Sequence, residues 1–158
     1  MGNNQKLKYY SNRIETILNG EPWFGRSVFS ILPEIHPAEA YQKPNAKENA
    51  HSLIDLLYHI ITWTEYTLEV LTNGNSETGK YEELNWRFID PKIHTWTNGM
   101  EELRKVSNEL LEFLKKSEDN ILEKPVPGKN FNTEYLLNGW IDHTIYHLGQ
   151  VAYVKKWH

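Results

Sequence analysis

The sequence predicts an all-α protein built as a four-helix bundle. Three observations predict it. Four stretches carry apolar residues at alternating three- and four-residue spacing, the period of a helix with one buried face. No stretch shows the strict apolar–polar alternation of a half-buried strand. The length of 158 residues suits one domain, residues 1–158, around one core. Two long connections make a simple up-down-up-down order less secure than the helix count.

The first helix is expected from about Asn4 to Leu18, with the seam Leu7, Tyr10, Ile14 and Ile17. Asn19-Gly20 ends it, because glycine takes the left-handed conformation without a steric penalty. The connector from Glu21 to Ala50 holds Pro22, Pro33, Pro37 and Pro44, which exclude one long helix. A short helix over "RSVFSIL" is the exception.

The second helix is expected from Ser52 to about Leu71. Ser52 and Asp55 resemble a capping box, and Asn73-Gly74 is the stop. Its seam reads Leu56, His59, Trp63, Tyr66, Val70, and a stripe of Leu53, Leu57, Ile60, Thr67 and Leu71 widens the buried face. "NGNSETGKYEELNWRFI" reads as a polar loop anchored by Trp86.

The third helix is expected to start at Asp90-Pro91, as N-cap and first-turn proline, and to run to about Lys116. Its seam is Ile93, Trp96, Met100, Leu103, Leu110 and Leu114, with Gly99 weakening the middle. "EKPVPGKN" is a turn, and Thr133 is the expected N-cap of the fourth helix. That last seam is Leu136, Trp140, His143, His147, Gln150 and Val154.

Composition excludes several functions. The net charge is −4, with no basic run, so the electrostatic footprint of a nucleic-acid binder is missing and no nucleic acid is expected as partner. No apolar run approaches the roughly 18 residues of a membrane span, and no signal peptide is read, so no membrane and a cytoplasmic location are expected. Met1-Gly2 is a poor acylation match because the sixth residue is Lys6. The absence of cysteine removes disulfides, thiolate metal sites and a cysteine nucleophile together.

The chemistry lies in three histidines. His143 and His147 are one turn apart, which sets both rings on one face, roughly 6 Å apart at Cβ. The spacing alone is weak, but both take seam positions, where unpartnered imidazoles are costly and a shared divalent ion satisfies both. His59 takes a seam position on another helix. Three histidines from two helices leave further coordination positions open, as a catalytic site requires. His36, His51, His94 and His158 are off the seams or in loops and are poor ligands.

Gln150 follows His147 by three residues and is placed to orient a water or hold the helix end. Asp142 lies on a solvated flank, and Asp55 is first a cap. Trp63, Tyr66, Trp140 and Tyr146 are candidates to line a pocket, with core packing expected for at least two of them.

Together these residues resemble the DinB-like superfamily, which includes the YfiT-type proteins. The resemblance rests on Ser52, His59 and Trp63 in "HSLIDLLYHIITW", and on His143, His147, Gly149 and Gln150 in "WIDHTIYHLGQ". Gly20 and Trp23 match the family's connector. The resemblance implies a four-helix bundle of up-down-down-up topology. It implies a divalent metal, zinc or nickel, on His59, His143 and His147. It also implies a possible homodimer, while the family's name implies no DNA contact. Many members carry aspartate after the first of these C-terminal histidines, where this chain has Thr144, so that role does not carry over.

Some relatives are thiol transferases or isomerases that use a low-molecular-weight thiol such as bacillithiol or mycothiol. The expected function is therefore metal-dependent, S-transferase-type chemistry on a small-molecule substrate. Metal-assisted hydrolysis and a non-catalytic metal-binding or stress-response role are the alternatives.

Overall fold

The computed structural model describes residues 4–44, 49–74 and 77–157. Met1, Gly2 and His158, on which the acylation and terminal-histidine readings fall, lie outside the described residues. Among those described the protein is all-helical. The helices are α1 (Gln5–Asn19), α2 (Val28–Ile31), α3 (Leu53–Asn73), α4 (Thr78–Glu83), α5 (Trp96–Lys116) and α6 (Thr133–Val154). Short 3-10 turns cover Leu32–Glu34, Asp119–Glu123 and Lys155–Trp157.

The four long helices are the four expected stretches. They pack as a ring in the order α1, α5, α3, α6, and α6 closes back on α1. One apolar core joins them, with Ile14, Leu57, Leu110 and Ile141 fully buried. The short α2 is the "RSVFSIL" helix, and it packs on α1.

α3 begins as the sequence expects. Ser52 Oγ accepts from the Asp55 amide, and Asp55 accepts from the Ser52 amide at 2.8 Å, a reciprocal capping box. It ends at Gly74 in the left-handed conformation, φ 64°. Gly20 ends α1 differently. Its φ is −93°, so handedness is not what glycine supplies there. A Cβ at Gly20 would sit 3.0 Å from Thr16 Cα, so a tight reversal against the helix requires the missing side chain.

Three boundaries depart from expectation. The segment read as a polar loop contains α4, held by buried Tyr81. α5 begins at Trp96 and not at Asp90-Pro91: Thr95 is its N-cap, accepting from the Asn98 amide. Asp90 instead closes a separate turn, its carbonyl taking the Ile93 and His94 amides, and Ile93 is left exposed. α6 is capped by Asn132, one residue before Thr133. Thr133 Oγ1 donates to the Lys124 carbonyl instead, tying the preceding turn to the helix start.

Gly99 lies where α5 packs tightly on α3. A Cβ there would lie 2.7 Å from Leu57 Cδ2. The glycine gives up helix propensity so that the two helices can meet at Leu57 and Tyr58.

Candidate metal centre

α3 and α6 face each other across the site, and each brings its seam histidines inward. His59 and His147 are buried, and His143 is half-buried. The Nε2 atoms of His143 and His147 both lie 2.9 Å from His59 Nε2. The three ligand atoms lie within 4.8 Å of one another, and among the described residues no carboxylate joins the cluster.

The far side of two rings is tied down. His59 Nδ1 lies 2.8 Å from the Asn85 carbonyl oxygen, and His147 Nδ1 lies 2.6 Å from Gln150 Oε1. An oxygen of this kind only accepts, so Nδ1 carries the proton in both rings. Each Nε2 then points a lone pair inward. Two lone pairs meeting at 2.9 Å cannot hydrogen-bond to each other, and they call for a cation between them. His143 Nδ1 is buried without a partner among the described residues.

Charge follows the same logic. Burial pushes the His59 imidazole down to about 4 and the His143 imidazole down to about 3, and the neighbouring imidazoles add to both shifts. Burial also lowers His147. All three rings are neutral at ordinary pH, the form that donates electrons to a metal. The donor set thus fits a borderline divalent ion.

The segment after α4 positions His59. Leu84 offers its carbonyl to Thr62 Oγ1, Asn85 Oδ1 accepts from Trp63 Nε1 at 2.8 Å, and Arg87 reaches Thr62 Oγ1. These bonds lay the segment along α3 and aim the Asn85 carbonyl at His59. Trp86 then stacks on His59, and on its other face it stacks on His51. Asn85 and Arg87 carry no signal in the sequence and were not expected beside the candidate centre. Trp86 is an anchor, but of the histidine centre and not of the bundle core, and it remains 40% exposed.

The pocket candidates divide. Trp63, Tyr66 and Trp140 line a cleft of about 350 Å³ that runs up to His143. Trp140 is also core, donating from Nε1 to buried Thr64 Oγ1 at 3.0 Å. Tyr146 is not in that cleft. It is 63% exposed on the opposite flank, where its ring meets His147 edge-on and its hydroxyl accepts from Gln150 Nε2. Gln150 therefore orients a ligand histidine from outside. Asp142 pairs with Arg13 at the surface, 3.7 Å away, and takes no part. Thr144 is buried with no hydrogen-bond partner among the described residues, and replaces nothing that an aspartate would do.

His36 caps its own loop by accepting from the Ala38 amide, and His94 Nδ1 accepts from the Asp90 amide. Neither approaches the centre. No helix among the described residues is long and apolar enough to cross a membrane.

The architecture has a counterpart among solved structures. The colibactin self-resistance protein ClbS, determined in complex with a dsDNA, superposes with a TM-score of 0.65 at 14% identity, over 97% of this chain and 95% of that one. No curated protein matches the chain significantly. The ClbS complex overturns the exclusion of nucleic acid drawn from net charge. A sum over the whole chain does not describe one face, and one face is all that a duplex touches. The family model described as the DinB superfamily matches residues 25–151, a span that holds His59, Trp63, His143, His147 and Gln150. The chain belongs to the DinB superfamily.

Proposed function

We propose that residues 1–158 act as one DinB-like domain that holds a divalent ion, zinc or nickel, on His59, His143 and His147 and carries out thiol-dependent transfer on a small molecule. One observation carries this reading: three imidazole Nε2 atoms converge while two of the rings have their Nδ1 protons committed outward.

The chemistry a divalent ion would supply there is a lowered pKa for a coordinated thiol, which would favour thiolate at neutral pH. The chain has no cysteine, so the thiol comes from a cosubstrate such as bacillithiol or mycothiol. The histidines would hold the ion, and the carbonyl of Asn85 and the amide of Gln150 hold two of the histidines, His59 and His147. Trp86 and Trp63 wall the centre and limit water. Hydrolysis is disfavoured because it usually needs a carboxylate base. Asp55 is spent on the α3 cap and Asp142 on a surface ion pair.

Metal analysis of the purified protein is expected to give about one divalent ion per chain, lost in His147→Ala. No metal after reconstitution overturns the reading. A monochlorobimane assay with bacillithiol or cysteine is expected to show a metal-dependent rate. Bound metal with no rate for any thiol leaves a metal-binding protein without turnover.

A second reading, duplex DNA binding, is favoured by the dsDNA complex of ClbS. Anisotropy of a labelled duplex decides it: binding that weakens steeply between low and moderate salt supports it, and no binding at low salt removes it.

A further inference from the structure

The cleft beside the candidate metal centre has its own chemistry. Its wall is aromatic: Trp63, Tyr66, Phe131 and Trp140, with Leu136 among them and His143 at one end. About 350 Å³ matches a small molecule of one or two rings and is too little for a peptide helix or a second chain's side-chain cluster. Flat π faces meeting edge-on, as Trp63 and Tyr66 do at 5.5 Å and 80°, leave slots that suit another flat ring.

Charge in the cleft has one sign. Lys129 lines it, and among the described residues no aspartate or glutamate does. The turn that carries Lys129 is built to present it. Gly128 takes φ 71°, the Lys129 amide bonds to the Val126 carbonyl, and the Val126 amide bonds to the Phe131 carbonyl. The hydroxyl of Tyr66, in the same wall, is buried and has no hydrogen-bond partner among the described residues.

Space is also kept open. Gly139 lines the cleft from the outer part of α6, and a Cβ there would meet nothing within 4 Å. Glycine in mid-helix costs about 1 kcal/mol against alanine. No close packing requires it at 139, unlike Gly99. The volume that a side chain would occupy is cleft.

We infer that this cleft binds a planar aromatic anion, ring between the tryptophans and acidic group toward Lys129, and so presents it to the centre at His143. The inference rests on the transfer reading above and names its substrate class.

The test uses 2-naphthoate, with 2-naphthylmethanol as its neutral counterpart, titrated by ligand-observed NMR. The metal-free protein is expected to bind the acid more tightly than the alcohol, and Lys129→Gln to lose about threefold for the acid alone. Gly139→Leu is expected to weaken both probes by on the order of tenfold, and Gly139→Ala by less, with the helical circular dichroism of both unchanged. In cobalt-loaded protein the bound naphthoate signals are expected to broaden. Equal affinity for acid and alcohol, unchanged binding in Gly139→Leu, or sharp signals in protein that carries cobalt would each overturn the inference. Failure to take up cobalt counts against the metal reading, and the metal-free titrations then judge the cleft by themselves.

Discussion

The indole of Trp86 lies flat on the imidazole of His59, ring centroids 3.8 Å apart and planes 2° from parallel. The neighbouring Asn85 carbonyl takes the Nδ1 proton of the same ring. One dipeptide thus sets both the plane and the tautomer of His59. The imidazole of His51 closes the stack on the other face of the indole at 3.6 Å, so Trp86 is clamped and not merely laid over the site.

Removing the indole should therefore loosen the ligand and not the fold. Trp86→Ala is expected to weaken divalent-metal binding about tenfold, as outer partners of metal histidines commonly do. Competition with a chromophoric chelator measures it. Thermal stability should change little, because Trp86 is half in solvent. A large loss of melting temperature with unchanged affinity would show that Trp86 serves the bundle instead.

Gln150 gives a cleaner version of the same test. Its Oε1 accepts the His147 Nδ1 proton at 2.6 Å. Gln150→Leu keeps the size and removes the acceptor, and is expected to cost about tenfold or more in metal affinity. Gln150→Glu keeps an acceptor and should restore affinity. A packing role would leave leucine at least as good as glutamate.

The candidate centre was legible wherever a side chain did the work. His59, His143 and His147 stand on seams whose period is plain, and helix geometry carries them to one point. Tyr146 reads as a pocket residue by type but sits one position off the seam of Trp140, His143 and His147, and so it faces solvent. The hold on His59 was not legible, because a main-chain carbonyl has no residue signature. It depends on the path of residues 84–87, which Thr62, Trp63 and Arg87 set through long-range bonds. The start of α5 was misplaced for a related reason. Asp90-Pro91 is a good helix opening, but Thr95 is another, and the turn that leaves Ile93 exposed settles the choice in tertiary structure. Net charge cannot exclude a nucleic-acid partner, because it averages over faces.

Two glycines should answer to alanine with opposite signs. At Gly99 the new Cβ would press on Leu57 at 2.7 Å. About 1 kcal/mol gained in helix propensity is set against roughly 1–3 kcal/mol of overpacking, toward the upper end because Leu57 is fully buried and Tyr58 crowds the same space. Gly99→Ala is thus expected to lower the melting temperature by a few degrees. At Gly139 nothing opposes the propensity gain, so Gly139→Ala should raise it. Paired thermal melts check both, and a stabilised Gly99→Ala would show that α3 and α5 do not need this close approach.

Acid should weaken the metal-free protein well before its ordinary carboxylates titrate. The His59 imidazole is held down to about 4 and that of His143 to about 3 by burial, and His147 is lowered as well. In the unfolded chain each returns to about 6.5. Below that pH the unfolded state binds protons that the folded state refuses, so stability is complete above about 6.5 and is lost as pH falls toward the folded values. Glu65 works the other way, since burial raises its carboxyl and folding then favours the protonated form. The two contributions separate by mutation. Chelator-treated wild type is expected to lose melting temperature steadily from pH 7 to pH 5, while a His59→Gln, His143→Gln double variant has a flatter profile. Parallel profiles would mean that the rings accept protons in the folded state. The convergent lone pairs would then be satisfied by a proton, and the case for a metal between them would lose its electrostatic basis.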